Sequence, residues 1–432
     1  MTSAQFNSSA REGDVLAEGS PAEGTKLQRG FLPLLGGAAL GIGMGQLTPL
    51  VLTLPLRAST IDPANEAVVF SIAIGAASLL AVVAYPLFGR LSDRTTGRLG
   101  RRRPYLFLGA LLIALGAVFE YLASNTATLA IAAALLFVGA AAVTVAVTSI
   151  IPDQIPTLKR GPASAVAGMG SLLGALVGLF VAQAVPSLAW QVFAPAALGV
   201  IGITLLAVLL KDRPITKEER PVVTVVLFFS TFWTNPVKNP DFALVWFSRL
   251  LLFCGVAAIQ SYQLFYLVNR LGFTSSSVSQ AVAVCSLTLV VAAVVFAFIG
   301  GRISDRMGRR KPFVIVAALA FAVGLVIAAN ATTFLTFLIA VAIVGAGQGV
   351  YIAVDIALAS QVLPDPENPA KDMGILGLAV IFPSFLVPAL APFILLIGAS
   401  VVNPQNYSAL FVAGAIAGLV GAALILPIRK VK

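Results

Sequence analysis

The chain of 432 residues contains no histidine, only two cysteines and few charges. Asp, Glu, Lys and Arg make up 11% of it, whereas soluble globular proteins carry about 25%. Hydrophobic residues make up 59%, and the mean hydropathy is +0.97. These values exclude a soluble globular protein. Without histidine, any proton relay must use carboxyl groups. Cys254 and Cys285 lie in apolar runs and give no disulfide framework.

Apolar runs long enough to cross a bilayer as helices, which takes about 20 residues, recur along the chain. Six precede a polar linker over residues 211–241 and six follow it. Residues 1–29 are polar and are expected to form a disordered tail, and residues 429–432 form a second tail. We therefore predict an all-α membrane protein with twelve transmembrane helices, in bundles over residues 30–210 and 242–428. The predicted spans are 30–56, 66–88, 105–123, 128–151, 162–185, 190–210, 242–268, 276–299, 313–330, 334–363, 374–400 and 407–428.

Positive charge is distributed unevenly between the two sides of the predicted spans. Of 28 Lys and Arg residues, 25 fall in the tails, the linker and the loops on one side. Arg57 and Arg270 fall on the other side, and Arg249 lies within a span. Because cytoplasmic loops are enriched in Lys and Arg, we predict that both termini are cytoplasmic. This topology also accounts for the net charge of +10 without a nucleic-acid partner.

Two basic loops resemble each other. The first has Gly-Arg-Leu-Ser-Asp-Arg at residues 89–94 and Gly-Arg-Arg-Arg-Pro at residues 100–104. The second has Gly-Arg-Ile-Ser-Asp-Arg-Met-Gly-Arg-Arg-Lys-Pro at residues 301–312. A weaker echo relates residues 149–156 to residues 359–364. The chain is therefore interpreted as a duplicated six-helix unit with two pseudo-symmetric halves.

The second basic loop resembles the signature loop between helices two and three of the major facilitator superfamily, and the resemblance covers the chain from about Gly30. The first loop carries a four-residue insertion, with Thr95 to Leu99 where the second half has only Met307. In this it is similar to proton-coupled sucrose transporters and glycoside-pentoside-hexuronide symporters. The resemblance implies two bundles that rock around a central site, with these loops joining them on the cytoplasmic side in one conformation. The gate candidates are Asp93, Arg94, Arg101, Asp153, Asp305, Arg306 and Arg309.

Ionisable residues inside predicted spans are candidates for ion coupling, because a buried charge in a bilayer is costly. Asp355 is the strongest, since Gln348, Tyr351 and Asp355 share one face of the tenth span. Arg249 on the seventh span lies at a similar depth, and we predict that it pairs with Asp355 and that the pair exchanges with a proton. The alternative is a permanent structural ion pair. Glu120 is a further candidate, although its position near the outer end of the third span favours an interfacial carboxylate that reaches water.

Polar groups on the spans that line the cavity in this family are candidates for solute binding. Gln46 lies in the middle of the first span, beside Gly45 and Pro49. Amides bond hydroxyl groups and aromatic rings stack on the apolar face of a sugar, although the same groups suit amphipathic drugs. The full set is Gln46, Thr144, Thr148, Gln260, Tyr262, Gln263, Tyr266, Gln348 and Tyr351.

The sequence has no phosphate-binding Gly-Lys-Ser/Thr loop, so ATP-driven transport is unsupported and no cofactor or metal is expected. We expect a monomeric secondary active transporter in the cell membrane that imports a sugar or glycoside together with a proton or sodium ion. A proton-driven exporter of drugs or metabolites is the alternative within transport. A membrane-embedded enzyme is the alternative of a different class, and the lack of histidine and the few acids argue against it.

Overall fold

The computed structural model describes residues 30–155, 160–184, 187–212, 236, 238–359, 362–364, 369–399 and 404–428. These residues form helices and no strand, and twelve of the helices are long and apolar enough to cross a membrane. The predicted fold class is therefore confirmed. The helices are α1 (Phe31–Ile61), α2 (Glu66–Asp93), α3 (Arg103–Leu122), α4 (Thr126–Gln154), α5 (Arg160–Gln183), α6 (Leu188–Leu209), α7 (Pro240–Asn269), α8 (Ser275–Met307), α9 (Lys311–Ala329), α10 (Phe334–Ala359), α11 (Pro369–Ile381 and Pro383–Leu395) and α12 (Tyr407–Ile425).

The packing of the helices repeats between the two halves. In the first half α4 packs on α2 and α3, while α6 packs on α1 and α3. In the second half α10 packs on α8 and α9, while α12 packs on α7 and α9. The two halves meet through α2 against α11 and α5 against α8, which are equivalent pairs with the halves exchanged. This arrangement is two pseudo-symmetric six-helix bundles.

Large apolar side chains cover the outer surface of the bundles. Leu79, Leu111, Leu205, Val294 and Leu319 are each about half exposed. Soluble proteins rarely expose contiguous apolar surfaces of this kind. A belt of such residues around both bundles is the surface that lipid tails cover.

Two helices depart from the regular α geometry and from the predicted spans. α1 contains π-helical turns over Gly43–Leu47 and Pro49–Thr53, because Pro49 has no backbone N–H to give to the regular ladder. α1 also continues to Ile61, so Arg57 lies in a helix and not in the loop where we predicted it. α11 is divided at Phe382 by Pro383. The predicted tails lie outside the described residues, as do residues 213–235 of the linker.

Candidate functional site

The two basic loops lie at one end of the bundles, which we call the basic end. The other end, where α1 and α7 finish and α2 and α8 begin, is called the opposite end. At the basic end, Arg102 donates hydrogen bonds to Ser92 at 2.5 Å and pairs with Asp93 at 2.7 Å. In the second half, Arg310 donates to Ser304 at 3.2 Å and pairs with Asp305 at 2.7 Å. The two loops therefore share a Ser–Asp–Arg cluster.

The residue after each clustered arginine closes a helix end of the same bundle. Arg103 donates to the carbonyl of Ala207, and Lys311 donates to the carbonyl of Ile428. A cation at a helix carboxyl end satisfies free carbonyls and complements the helix dipole. Gly100 and Gly308, with φ +88 and +61, make the turn into each cluster. The two loops are thus equivalent in structure as well as in sequence.

The first-half loop is held by two further carboxylates. Asp153 pairs with Arg101 at 2.5 Å and with Arg102 at 2.8 Å. Asp212 accepts from the backbone N–H groups of Arg102 and Arg103, at 2.5 and 3.1 Å, where α3 begins. A carboxylate there satisfies free N–H groups at a helix amino terminus.

The gate candidates do not join the bundles in this conformation. Asp93, Arg101 and Asp153 pair inside the first bundle, and Asp305 pairs inside the second. Arg94, Arg306 and Arg309 are exposed at the basic end. The sequence reasoning missed the buried Arg102 and its equivalent Arg310. Superposing the two Gly-Arg-Arg motifs on each other would have found them.

The predicted ion pair is present in the second bundle. Arg249 Nε of α7 lies 3.2 Å from Asp355 Oδ2 of α10, and their side chains are 14% and 4% exposed. Tyr351 is buried and lies beside the Asp355 carboxyl group. Ser248 of α7 lies beside the hydroxyl group of Tyr351. The Gln348 side chain is also buried on this face of α10, and its carbonyl oxygen has no hydrogen-bond partner. The spacing on α10 therefore predicted the neighbourhood of the pair correctly.

A cavity of about 510 Å³ lies between α1, α4 and α5 and reaches the basic end. Thr144 and Thr148, two of the candidate solute contacts, line it, and Ser164 and Ser171 of α5 add two more hydroxyl groups. Arg160 also lines it and donates to the carbonyl of Ile155. The polar lining is thus mainly hydroxyl groups, set among apolar side chains.

The remaining amides lie on α1 and α7. Gln46 is half-buried within the first π-helical turn, and π-helical turns occur often at functional sites. Gln260 is half-buried and Gln263 is buried.

Two tyrosines predicted to contact solute are engaged elsewhere. Tyr262 is fully buried, and its hydroxyl lies 2.7 Å from Ser71 Oγ of the first bundle. Tyr266 is fully buried, donates to the carbonyl of Ala331 at 2.8 Å and stacks on Phe337. In this conformation Tyr262 joins the bundles and Tyr266 braces the second bundle.

Glu120 occupies an environment different from the predicted interface. Its side chain is fully buried, and neither carboxyl oxygen has a geometrically good hydrogen bond. Thr53 and Arg57 of α1 face it. The expectation that it reaches water was wrong because α1 continues past Leu56 and covers it.

The bundles are joined at the opposite end. Five side-chain hydrogen bonds between the bundles lie there: Ser71 with Tyr262, Gln191 with Ser279, Glu66 with Asn269, Glu66 with Tyr407, and Gln405 with the Ala64 carbonyl. The bundles are thus hydrogen-bonded to each other at the opposite end, while the cavity reaches the basic end.

Sequence and structure comparisons agree with this geometry. The family model of the Major Facilitator Superfamily matches residues 34–296 and 288–432. The fold is similar to that of the nucleoside transporter NupG, with a TM-score of 0.72 and 13% identity over 92% of this chain and 100% of that one. It is also similar to a peptide transporter solved with sulfate, with a TM-score of 0.69 and 15% identity over 96% and 97% of the two chains.

A bacterial homologue of the human lysosomal transporter Spinster, solved in an inward-facing and occupied conformation, has a TM-score of 0.70 and 14% identity over 95% and 98% of the two chains. No curated relative matches by sequence. The structural likenesses establish the fold, and the family model covers nearly all of the chain. The chain therefore belongs to the Major Facilitator Superfamily and is a membrane transporter that works by alternating access, not an enzyme.

Proposed function

We propose that the protein is a monomeric, proton-coupled symporter that imports a sugar or glycoside across the cell membrane. The observation that carries the proposal is the buried Arg249–Asp355 pair, since a carboxylate inside a membrane helix is a functional candidate by default. The excess of Lys and Arg at the basic end supports a cytoplasmic location for that end. On this orientation the cavity between α1, α4 and α5 faces the cytoplasm.

The proposed coupling step is protonation of Asp355. Arg249 and Asp355 both belong to the second bundle, so rocking of the bundles does not pull them apart. A proton on Asp355 removes the negative charge that holds the Arg249 guanidinium. The guanidinium is the more exposed partner, and its donors then become available to hydroxyl groups of the solute. Proton and solute binding are thereby linked.

Glu120 is the second candidate for coupling. Arg57 is the cation near Glu120, as Arg249 is the cation near Asp355. The Glu120 side chain, however, is fully buried. A coupling proton must reach its carboxyl from water, so we assign Glu120 the smaller role.

The proposed substrate class follows from the lining of the cavity. Thr144, Thr148, Ser164 and Ser171 supply hydroxyl groups that donate and accept, which suits a neutral solute with many hydroxyl groups. The proposed solute contacts on α1 and α7 are Gln46, Gln260 and Gln263, with Gln348 on α10. The first-half loop supports the same class through its resemblance to sucrose and glycoside symporters.

We further propose that the exposed gate arginines meet the other bundle when the basic end closes. The guanidinium groups of Arg94, Arg306 and Arg309 then lose their hydrating water and donate hydrogen bonds to carboxylates or free carbonyls of the other bundle. The Ser–Asp–Arg clusters hold the loops in shape in both conformations.

Uptake into proteoliposomes tests the function. A panel of labelled sugars, glycosides, nucleosides and dipeptides is offered under an inward proton gradient, an inward sodium gradient or no gradient. Accumulation of a sugar or glycoside that requires the proton gradient is the expected result. Absence of sugar flux together with gradient-driven extrusion of a dye would instead support the rival function, a proton-driven exporter.

A further inference from the structure

Glu66 lies where α2 begins, at the opposite end, and the mechanism above does not use it. Its side chain belongs to the first bundle and is buried. Its Oε1 atom accepts from Asn269 Nδ2 of the second bundle at 2.5 Å. The Tyr407 hydroxyl lies 3.5 Å from the same atom and donates its hydrogen to Gln405 Oε1 at 2.5 Å. The Oε2 atom of Glu66 accepts from the Ser59 hydroxyl of its own bundle. One carboxyl group therefore ties α7 to α2.

Aromatic packing seals this contact from the membrane interior. Phe70, one turn along α2, is fully buried and meets Tyr262 and Phe265 edge-on at 5.5 and 5.4 Å between ring centres. Ser71 adds the hydrogen bond to Tyr262. The carboxyl group thus lies between this seal and the water at the opposite end, from which a proton can reach it when the contact loosens.

The hydrogen-bond partners of Glu66 are neutral. The titratable or charged groups around the contact are Tyr262 and Arg270 on α7, Tyr407 on α12 and Arg57 on α1. Arg270 lines a pocket beside Tyr407, and Arg57 faces Glu120. The parts of α4 and α11 at this end contain no charged residue. The negative charge that strengthens hydrogen bonding to the second bundle is therefore the charge of Glu66 itself.

We propose that Glu66 is a proton-binding site that operates a latch between the bundles. The latch consists of Glu66 and Asn269, and the inference rests on the proposed proton coupling for its role in transport. A proton bound to Oε2 is donated to the Ser59 oxygen, and the Ser59 hydroxyl turns to its second acceptor, the Pro55 carbonyl.

Oε1 then becomes an uncharged carbonyl oxygen. Its bond from Asn269 loses charge assistance, which about halves the strength of a hydrogen bond. Because this bond crosses the bundle interface, protonation favours separation of the bundles at the opposite end. The bound proton makes its hydrogen bond to Ser59 of the first bundle. It therefore adds no bond across the interface that could stabilise the closed latch.

The latch is tested by a distance measurement that needs no transport. Nitroxide labels on Ser124→Cys and Thr332→Cys, at the opposite ends of the two bundles, report the separation by double electron–electron resonance in a Cys254→Ala, Cys285→Ala background. In the parent chain we expect the distance distribution to lengthen as the pH falls from about 7 to about 3.5, across the ordinary range in which carboxyl groups bind protons. Glu66→Gln is expected to show the long distance at both pH values. Losing charge assistance on this bond should raise the ratio of open to closed molecules roughly fivefold.

Asp62→Asn is the matched control. Asp62 is a carboxylate at the same end, and it bonds only Ala64 and Asn65 of its own loop. It should behave as the parent chain. Asn269→Leu removes the latch bond across the interface and should show the long distance at both pH values.

Glu66→Gln that keeps the short distance, or that still responds to pH, overturns the proposal. If the latch opens as expected but the protein transports no proton, the proposed latch stands and the proposed proton coupling is rejected.

Discussion

The two basic loops have the same core but different surroundings. Each core is a serine, an aspartate and an arginine, followed by a cation that closes the last helix of its bundle. In the first half Asp153 and Asp212 surround this core, and the Arg102 side chain is 4% exposed. In the second half Arg310 is 19% exposed and its partner Asp305 is 67% exposed.

Duplication therefore accounts for the scaffold, while the added carboxylates distinguish the halves. Pro104 and Pro312 end equivalent loops 208 positions apart, and the residues 208 positions before Gln361 and Asp355 are Asp153 and Val147. The first half has the carboxylate of Asp153, near the end of α4, where the second half has an amide. The second half has a carboxylate in its core where the first has an apolar side chain. Carboxylates at the basic end stabilise the first copy, whereas the second copy carries a buried ion pair in its core.

The largest effect is expected from removing the core carboxylate of the second half. Asp355→Asn should abolish proton-driven accumulation, a loss of about 100-fold or more, because the amide binds no proton and leaves Arg249 without its counter-charge. Solute exchange at equal concentrations, which needs no net proton movement, should persist and shows that the variant is folded. Normal accumulation by Asp355→Asn would make the pair a permanent structural one.

Next in size is the difference between the two clustered arginines. Arg102→Ala should lower the free energy of unfolding by about 3 kcal/mol, since it leaves Asp153 with one partner and removes a buried guanidinium. Arg310→Ala should cost about 1 kcal/mol, because water screens its pair with the exposed Asp305. Thermal unfolding in detergent measures both. Equal losses would show that the extra carboxylates do not distinguish the loops.

The turn glycines sharpen the same comparison. Alanine at either position must adopt a positive φ, which costs about 1–2 kcal/mol. At Gly100 the added carbon would also lie 2.6 Å from Asp212, whereas nothing lies within 4 Å at Gly308. Gly100→Ala should therefore lower the unfolding temperature more than Gly308→Ala does. The reverse order would mean that Asp212 does not hold the first loop.

The smallest effect is expected at the buried carboxyl group of the first half. Glu120→Gln should leave proton-driven accumulation within about twofold of the parent chain, since a fully buried group without a route from water exchanges protons poorly. It is also the matched control for Asp355→Asn. A loss as large as that of Asp355→Asn would move the coupling site to the first bundle.

Hydropathy and repetition were sufficient to predict the helices and the duplication, because both depend on residue patterns that sequence shows directly. The Arg249–Asp355 contact also needed the family resemblance, which implies that the seventh and tenth helices face the same cavity. The roles of Glu120, Tyr262 and Glu66 could not be predicted in this way. Glu120 is covered because α1 extends past its apolar run. Tyr262 and Glu66 acquire their partners only from helices nearly 200 residues away or more, at a contact that one conformation forms.

The most direct test of coupling is proton movement driven by the solute itself. Proteoliposomes with equal pH on both sides and a pH dye in the lumen receive the sugar or glycoside found by the uptake panel. Inward proton movement that makes the lumen acidic, and that Asp355→Asn abolishes while Glu120→Gln retains it, is the predicted result. Solute entry without a change in lumen pH would contradict proton symport.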